Sequence, residues 1–224
     1  MTFLKTVIKI GGSLLNDSAI LKKLSSSLNE FAKLRSVILV PGGGAFADQV
    51  RKYHKLYDFS DSVAHKMALI TEDIVGILIG EYLKDGILLD NIDEISHILK
   101  QSKIPIFLPS KYILELDELP HSWDVTSDSI AVYLAHKLHS HTVILVKDVD
   151  GLFSADPKRD PKAELIQSIK ARELNTLKES CVDKALPEFI AKYKISCYLV
   201  NGKYPDRIKK IMDEKDTIFS LITP

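Results

Sequence analysis

The residues best equipped for chemistry open the chain, in TVIKIGGSLLN, Thr6 to Asn16. Lys9 interrupts the apolar residues Val7, Ile8 and Ile10, and Gly11, Gly12 and Ser13 follow at once. A core strand has no use for a lysine there unless its stem snorkels to water. A phosphoryl-transfer site does, because a fixed positive charge neutralises the charge on the moving group. Glycines let backbone N–H groups approach phosphate oxygens, and a following helix adds partial positive charge at its N-terminus. A second turn of this kind, Gly42, Gly43 and Gly44, comes after Val37 to Pro41. Two such cradles facing one another suit phosphoryl transfer. The chain has no GxxxxGK[ST] Walker A loop and no GxGxxG dinucleotide fingerprint.

Two further stretches carry chemistry. In WDVTSDSIA, Thr126 or Ser127 is placed to cap a helix whose first turn holds Asp128. That acid either complements the helix dipole or holds cationic groups in place. In VKDVDGLFSADPK an apolar strand opens into Lys147, Asp148, Asp150, Gly151, Phe153, Asp156 and Pro157. The ring can pack on a base or ribose while the lysine reaches phosphates, so this loop suits a nucleotide.

Positioning these groups requires alternating strands and helices. After the first strand, Leu21, Leu24, Leu28 and Phe31 mark one helical face, with Asp17 or Ser18 to cap it. After the second, a helix carries Phe46, Val50 and Tyr53. Ser62 to Tyr82 predicts a long apolar helix, with Val63, Met67, Ile70, Ile74, Leu78 and Tyr82 at helical period and Gly76 and Gly80 permitting a close neighbour. Such a helix could pack between subunits. Strands are expected at 104–110, 142–151 and 196–202 and in the C-terminal TIFSLI, with helices near 92–100, 127–139, 184–193 and 204–213. The expectation is an α/β fold: a three-layer αβα sandwich with a mainly parallel central sheet.

Composition narrows the partners. Among 224 residues, 30 basic and 30 acidic side chains cancel, which disfavours a nucleic-acid surface or a polybasic membrane patch. A small-molecule partner fits. Cys181 and Cys197 are too few to staple the fold and point to a reducing cytoplasm. No stretch reads as a signal peptide or membrane span. His136, His139 and His141 read as a solvated helix end rather than a zinc site.

Taken together, KIGGS at Lys9 to Ser13, PGGGAFA at Pro41 to Ala47, TSDSIA at Thr126 to Ala131, KDVDGLFSADP at Lys147 to Pro157 and VNGKYPDRI at Val200 to Ile208 resemble the amino acid kinase superfamily, in the right order. The resemblance implies a single domain over 1–224. Its N-terminal lobe, about 1–125, would bind the phosphoryl acceptor, and its C-terminal lobe, about 126–224, ATP with Mg2+. It further implies that Lys9 stabilises the transferring group, that Gly12, Gly43 and Gly44 supply backbone donors, and that Asp128 orients the lysines. The nucleotide side would comprise Gly11, Gly12, Ser13 and the loop from Lys147 to Pro157; the acceptor side, Gly42, Gly43, Gly44 and His65. His65 is equally readable as a helix-surface histidine. The chain departs from the family pattern twice. CVDKALPEF replaces the segment ending in a second catalytic lysine, which makes Lys184 the candidate replacement, and Phe219 and Ser220 stand where a Gly-Thr pair is usual. AHKMALI, WDVTSDS and CVDKALP are most similar to small members acting on a phosphate monoester such as aminomethylfuran methyl phosphate, in methanofuran biosynthesis. Kinases of carboxylates or nucleoside monophosphates are the alternatives, as is a nucleotide-binding storage or regulatory subunit. A homodimer or larger homo-oligomer is expected.

Overall fold

The computed structural model describes residues 5–32, 35–157, 159–177 and 181–224, and the Phe31 side chain lies outside that description. In chain order, β1 (Thr6–Ile10) leads through a 3-10 turn into α1 (Ser18–Phe31), and β2 (Val37–Pro41) leads into α2 (Gly44–Tyr57). Next come α3 (Asp61–Tyr82), β3 (Gly86–Leu89), α4 (Ile95–Lys100), β4 (Ile104–Phe107) and α5 (Pro109–Leu116). The second half runs α6 (Ser127–Lys137), β5 (Thr142–Lys147), β6 (Leu152–Phe153), β7 (Leu165–Ile166), β8 (Ser168–Lys170), α7 (Leu186–Tyr193), β9 (Ser196–Asn201), α8 (Asp206–Met212) and β10 (Ser220–Thr223).

Eight strands form one sheet in the order β3-β4-β2-β1-β5-β9-β10-β8, and β6 pairs separately with β7. Within the large sheet, neighbours are parallel except β9 with β10. The first four strands all lie on one side, with β2, β4 and β3 extending from β1, and the later strands β5, β9, β10 and β8 extend from β1 on the other. That reversal puts the switch point of the sheet at β1, and in such sheets the crevice beyond the strand ends at the switch point receives the ligand.

Helices cover both faces, and the period of two along each strand sorts side chains between them. Val7 of β1 and Val143 and Leu145 of β5 enter the core beneath α6 and α7. Ile8 and Ile10 of β1 and Ile144 and Val146 of β5 enter the opposite core with α1 and α8. Lys9 therefore continues the row of Val7, and Lys147 the row of Val143 and Leu145, both toward α6. Helix α3 contributes Leu69 to the first core and Val75 and Ile79 to the second.

Three expectations about the helices change. On α2, Val50 is buried while Phe46 and Tyr53 are exposed, because α2 lays only a narrow stripe against α3. On α3 the apolar series Val63, Ile70, Ile74 and Leu78 faces outward, and the buried face carries His65, Leu69, Glu72 and Val75 instead. Gly76 and Gly80 admit no second subunit. A Cβ on Gly76 would lie 2.5 Å from Leu108, and one on Gly80 3.3 Å from Leu88, so these glycines seat α3 against the chain's own sheet. Helix α5 and strands β3, β6, β7 and β8 are additions to the expected elements. Asp73 of α3 accepts from the backbone N–H of Ser110 at 3.1 Å and from its hydroxyl, which satisfies the start of α5.

Candidate active site

At the carboxyl ends of β1 and β5, Lys9 and Lys147 converge on one carboxylate. Lys9 Nζ lies 2.8 Å from Asp128 Oδ1, and Lys147 Nζ 2.5 Å from Asp128 Oδ2. Lys147 also donates to the Cys181 carbonyl at 2.5 Å. Lys9 and Asp128 are 5% and 2% exposed, so these charges stand almost out of water. Burial alone would raise the Asp128 carboxyl, but the charges and hydrogen bonds of Lys147 and Lys9 outweigh it and hold the group well below the usual carboxylate range. Burial also opposes the charge on Lys147, yet Asp128 lifts that amine above its ordinary value. Two ammonium groups thus share one carboxylate at the switch point. A fixed positive charge in a desolvated position favours an anion.

Asp128 is held in place by the start of α6, in a way the sequence did not announce. Thr126 is the N-cap by backbone conformation, but neither its side chain nor that of Ser127 caps the helix. Asp183 does so from 57 residues away. Its Oδ2 accepts from Thr126 N at 2.9 Å, Thr126 Oγ1 at 2.9 Å and Ser129 N at 3.0 Å. Its Oδ1 accepts from Ser129 Oγ at 2.5 Å and Leu186 N at 2.9 Å. One carboxylate therefore fixes the first turns of both α6 and α7. Burial and the nearby Asp128 push its own carboxyl upward, against the hydrogen bonds from Ser129 and Thr126.

The two glycine turns meet backbone to backbone. Gly44 has φ +53°, and a Cβ on Gly12 would lie 2.2 Å from the Gly44 Cα. Only glycine permits this approach. The N–H groups of Gly11 and Gly42 are bonded to Val146 O at 2.7 Å and Ile10 O at 3.0 Å. Next to the turns lies a cavity of about 270 Å³, lined by Lys9, Gly12, Ser13, Gly42, Gly43, Gly44 and His65. The structure thus brings together candidates assigned to the two substrates separately. His65 is buried and stacks on His121 with ring centroids 4.6 Å apart. Burial and then His121 lower its pKa, while Asp117 opposes them.

Sequence reasoning missed three other residues of this cavity. The Arg51 guanidinium lies 4.4 Å from the Trp123 ring centroid, and Trp123 Nε1 donates to His54 Nδ1 at 3.0 Å. Glu72, 5% exposed, also lines the cavity, and among the described residues its Oε2 has no hydrogen-bond partner. Its signal lay in the helical spacing, because position 72 falls on the face of His65 and Leu69, where a carboxylate is out of place.

The loop after β5 borders a second cavity of about 160 Å³, lined by Val149, Gly151, Leu152, Phe153, Ala155, Asp156, Pro157 and Cys181. Asp148 is exposed, and Asp156 pairs with Arg159 at 3.4 Å. Asp150 is engaged from within the protein, accepting from Asn201 Nδ2 at 3.0 Å and Arg207 NH1 at 2.5 Å. Ser220 accepts from Leu152 N at 2.8 Å and donates to Ile166 O at 2.5 Å, which ties β10 to the β6–β7 hairpin. Lys184 stands apart from the group around Asp128. Its side chain is 83% exposed and pairs with Asp124 at 3.2 Å.

Among the described residues no cluster of three or more His, Cys, Asp or Glu is arranged to hold a metal ion, and no helix is long and apolar enough to cross a membrane. Comparison with known proteins points one way. The chain is 34% identical over 220 residues to the [5-(aminomethyl)furan-3-yl]methyl phosphate kinase of Methanocaldococcus jannaschii, covering 96% of each chain. It is 25% identical to the uridylate kinase of Methanococcoides burtonii, over 92% of this chain and 90% of that one. Its fold matches the crystal structure of UMP kinase from Ureaplasma parvum with a TM-score of 0.78 at 21% identity, covering both chains fully. A model of the amino acid kinase family matches residues 5–201. With its parallel sheet, paired glycine turns and lysines at the switch point, the chain belongs to the amino acid kinase family and is a phosphotransferase.

Proposed function

We propose that this chain transfers the γ-phosphoryl group of ATP to the phosphate of a small monoester, with an aminomethylfuran phosphate as the substrate that fits best. The observation carrying this reading is the convergence of Lys9 and Lys147 on Asp128, beside a cavity lined by both glycine turns. The near full-length likeness to the furan phosphate kinase supports the choice of acceptor.

In this reading Lys9 faces the moving phosphoryl group, Lys147 serves as the second lysine in place of Lys184, and Asp128 positions both. Gly12, Gly43 and Gly44 offer backbone donors to phosphate oxygens. Residues 1–125 hold the acceptor, and the cavity along Val149 to Pro157 takes the nucleotide. An oxygen of the acceptor phosphate attacks the γ-phosphorus, its bond to the β-phosphate oxygen breaks, and ADP leaves. A phosphate oxygen is already an anion, so positioning and charge neutralisation suffice without a general base. Magnesium fits as an ion carried on the nucleotide phosphates, where it would screen their charge, since such ions take few protein ligands. The free thiols Cys181 and Cys197 accord with a cytoplasmic enzyme.

The test is ADP release from ATP and magnesium over a panel of aminomethylfuran methyl phosphate, isopentenyl phosphate, uridylate, glutamate and acetylglutamate. The expected result is a marked preference for the furan phosphate. Preference for either amino acid, or no turnover with any acceptor, would overturn the reading.

A further inference from the structure

The first cavity holds a carboxylate that phosphoryl transfer does not explain. Glu72 lies on the buried face of α3 and lines the cavity together with Leu69, Val125 and Ile130, all buried, while the other carboxylates of the cavity, Asp48 and Asp61, are exposed. Its Oε2 is buried without a hydrogen-bond partner among the described residues. A buried carboxyl oxygen without a hydrogen bond is costly unless something in the site answers it. The cavity is therefore lined by groups of both signs. Lys9, Arg51 and the glycine turns suit an anion, and the buried Glu72 carboxyl suits a cation or a strong donor.

We infer that Glu72 is a specificity-determining residue that binds a protonated primary amine on the acceptor, so that the site selects a compound carrying both a phosphate and an ammonium group. This rests on the proposed acceptor reading and deepens it. The apolar lining would take the ring, the glycine turns and Lys9 the phosphate, and Glu72 the amine. An exposed carboxylate such as Asp48 or Asp61 would discriminate little, because water competes for the amine. A buried one leaves an unpaired group whenever the amine is missing, and that penalty is what makes a site selective. In the free protein burial pushes the Glu72 carboxyl well above its usual range; Lys9 opposes this, and Asp73, Asp128 and Asp183 add to it. An arriving ammonium favours the ionised form, as Lys9 does.

The experiment compares two acceptors, aminomethylfuran methyl phosphate and the same compound with a methyl group in place of the aminomethyl group, on wild type and Glu72→Gln. The wild type should favour the amine in kcat/KM, and the variant should lose on the order of a hundredfold of that preference. Calorimetry without ATP should show the wild type binding the amine more tightly than its analogue. The variant should show no such difference. An unchanged preference ratio in Glu72→Gln would overturn the inference while leaving the kinase reading intact. Failure of the wild type to phosphorylate either compound would overturn the acceptor reading itself. A Glu72→Leu variant that loses both acceptors equally would overturn the inference and show that the carboxyl serves the groups that bind phosphate.

Discussion

Lys9 is the residue on which the chemistry turns. Its place was legible, because a lysine in an apolar strand just before two glycines has few structural uses, and period-two alternation sends it to the face of α6. Lys9→Ala should lower kcat by on the order of a hundredfold or more with the fold intact, since it removes a charge acting chiefly at the transition state. Steady-state kinetics with circular dichroism checks this; normal turnover would remove Lys9 from the site. The partnership of Asp128 with both lysines needed the structure, because positions 9, 128 and 147 meet only through strand pairing across the switch point. Its pH signature follows from its lowered pKa. A carboxylate depressed in the folded state stabilises above its unfolded pKa of about 3.9 and loses that contribution as pH falls toward the folded value. The stability gap between wild type and Asp128→Asn should therefore be full at about pH 7 and smaller at about pH 3. Urea unfolding at both pH values measures it, and a constant gap would contradict the account. Helical spacing puts Glu72 on a buried face, but only the packed structure shows that this face borders a cavity, and that Arg51 of α2 and Trp123 of the turn before α6 meet there.

Among the elements, the start of α6 shows most clearly why sequence reading stopped where it did. Thr126 and Ser127 carry the right side chains for a cap, yet the bonds come from Asp183, a contact between distant segments that no local pattern encodes. Asp183→Ala would leave five donors without their acceptor, costing on the order of 3 kcal/mol. It should also lower kcat, because the turn that carries Asp128 loses its anchor. Denaturant midpoints and kinetics on the same variant test both. A stability loss with kcat untouched would make Asp183 a brace of the fold alone. The long strands β1, β2, β5 and β9 were readable as apolar runs, whereas β6, β7 and β8 hold two or three residues each and present too little pattern. Strand β3 lies at the sheet edge with Ile87 and Leu88 exposed, and so lacks the signature of a buried strand.

At the scale of the whole molecule, the apolar content of α3 was plain in the sequence but its direction was not. Val63, Ile70, Ile74, Ile77 and Leu78 lie on the outside, more apolar area than a helix facing water usually bears. The expected occupant is the same helix of a second copy in a two-fold dimer. Light scattering at micromolar concentration should report at least a dimer, and Ile74→Asp should shift it to monomer; a monomeric wild type would contradict this. The two-ended sheet, with lysines at its centre, makes phosphoryl transfer onto a small phosphate the central claim. Phosphorus NMR of the chain with ATP, magnesium and aminomethylfuran methyl phosphate tests it most directly. The account predicts that the acceptor's single resonance gives way to the coupled pair of a diphosphate as ADP accumulates. An acceptor resonance that stays single, while ATP is consumed by uridylate or a carboxylate in parallel samples, would contradict it.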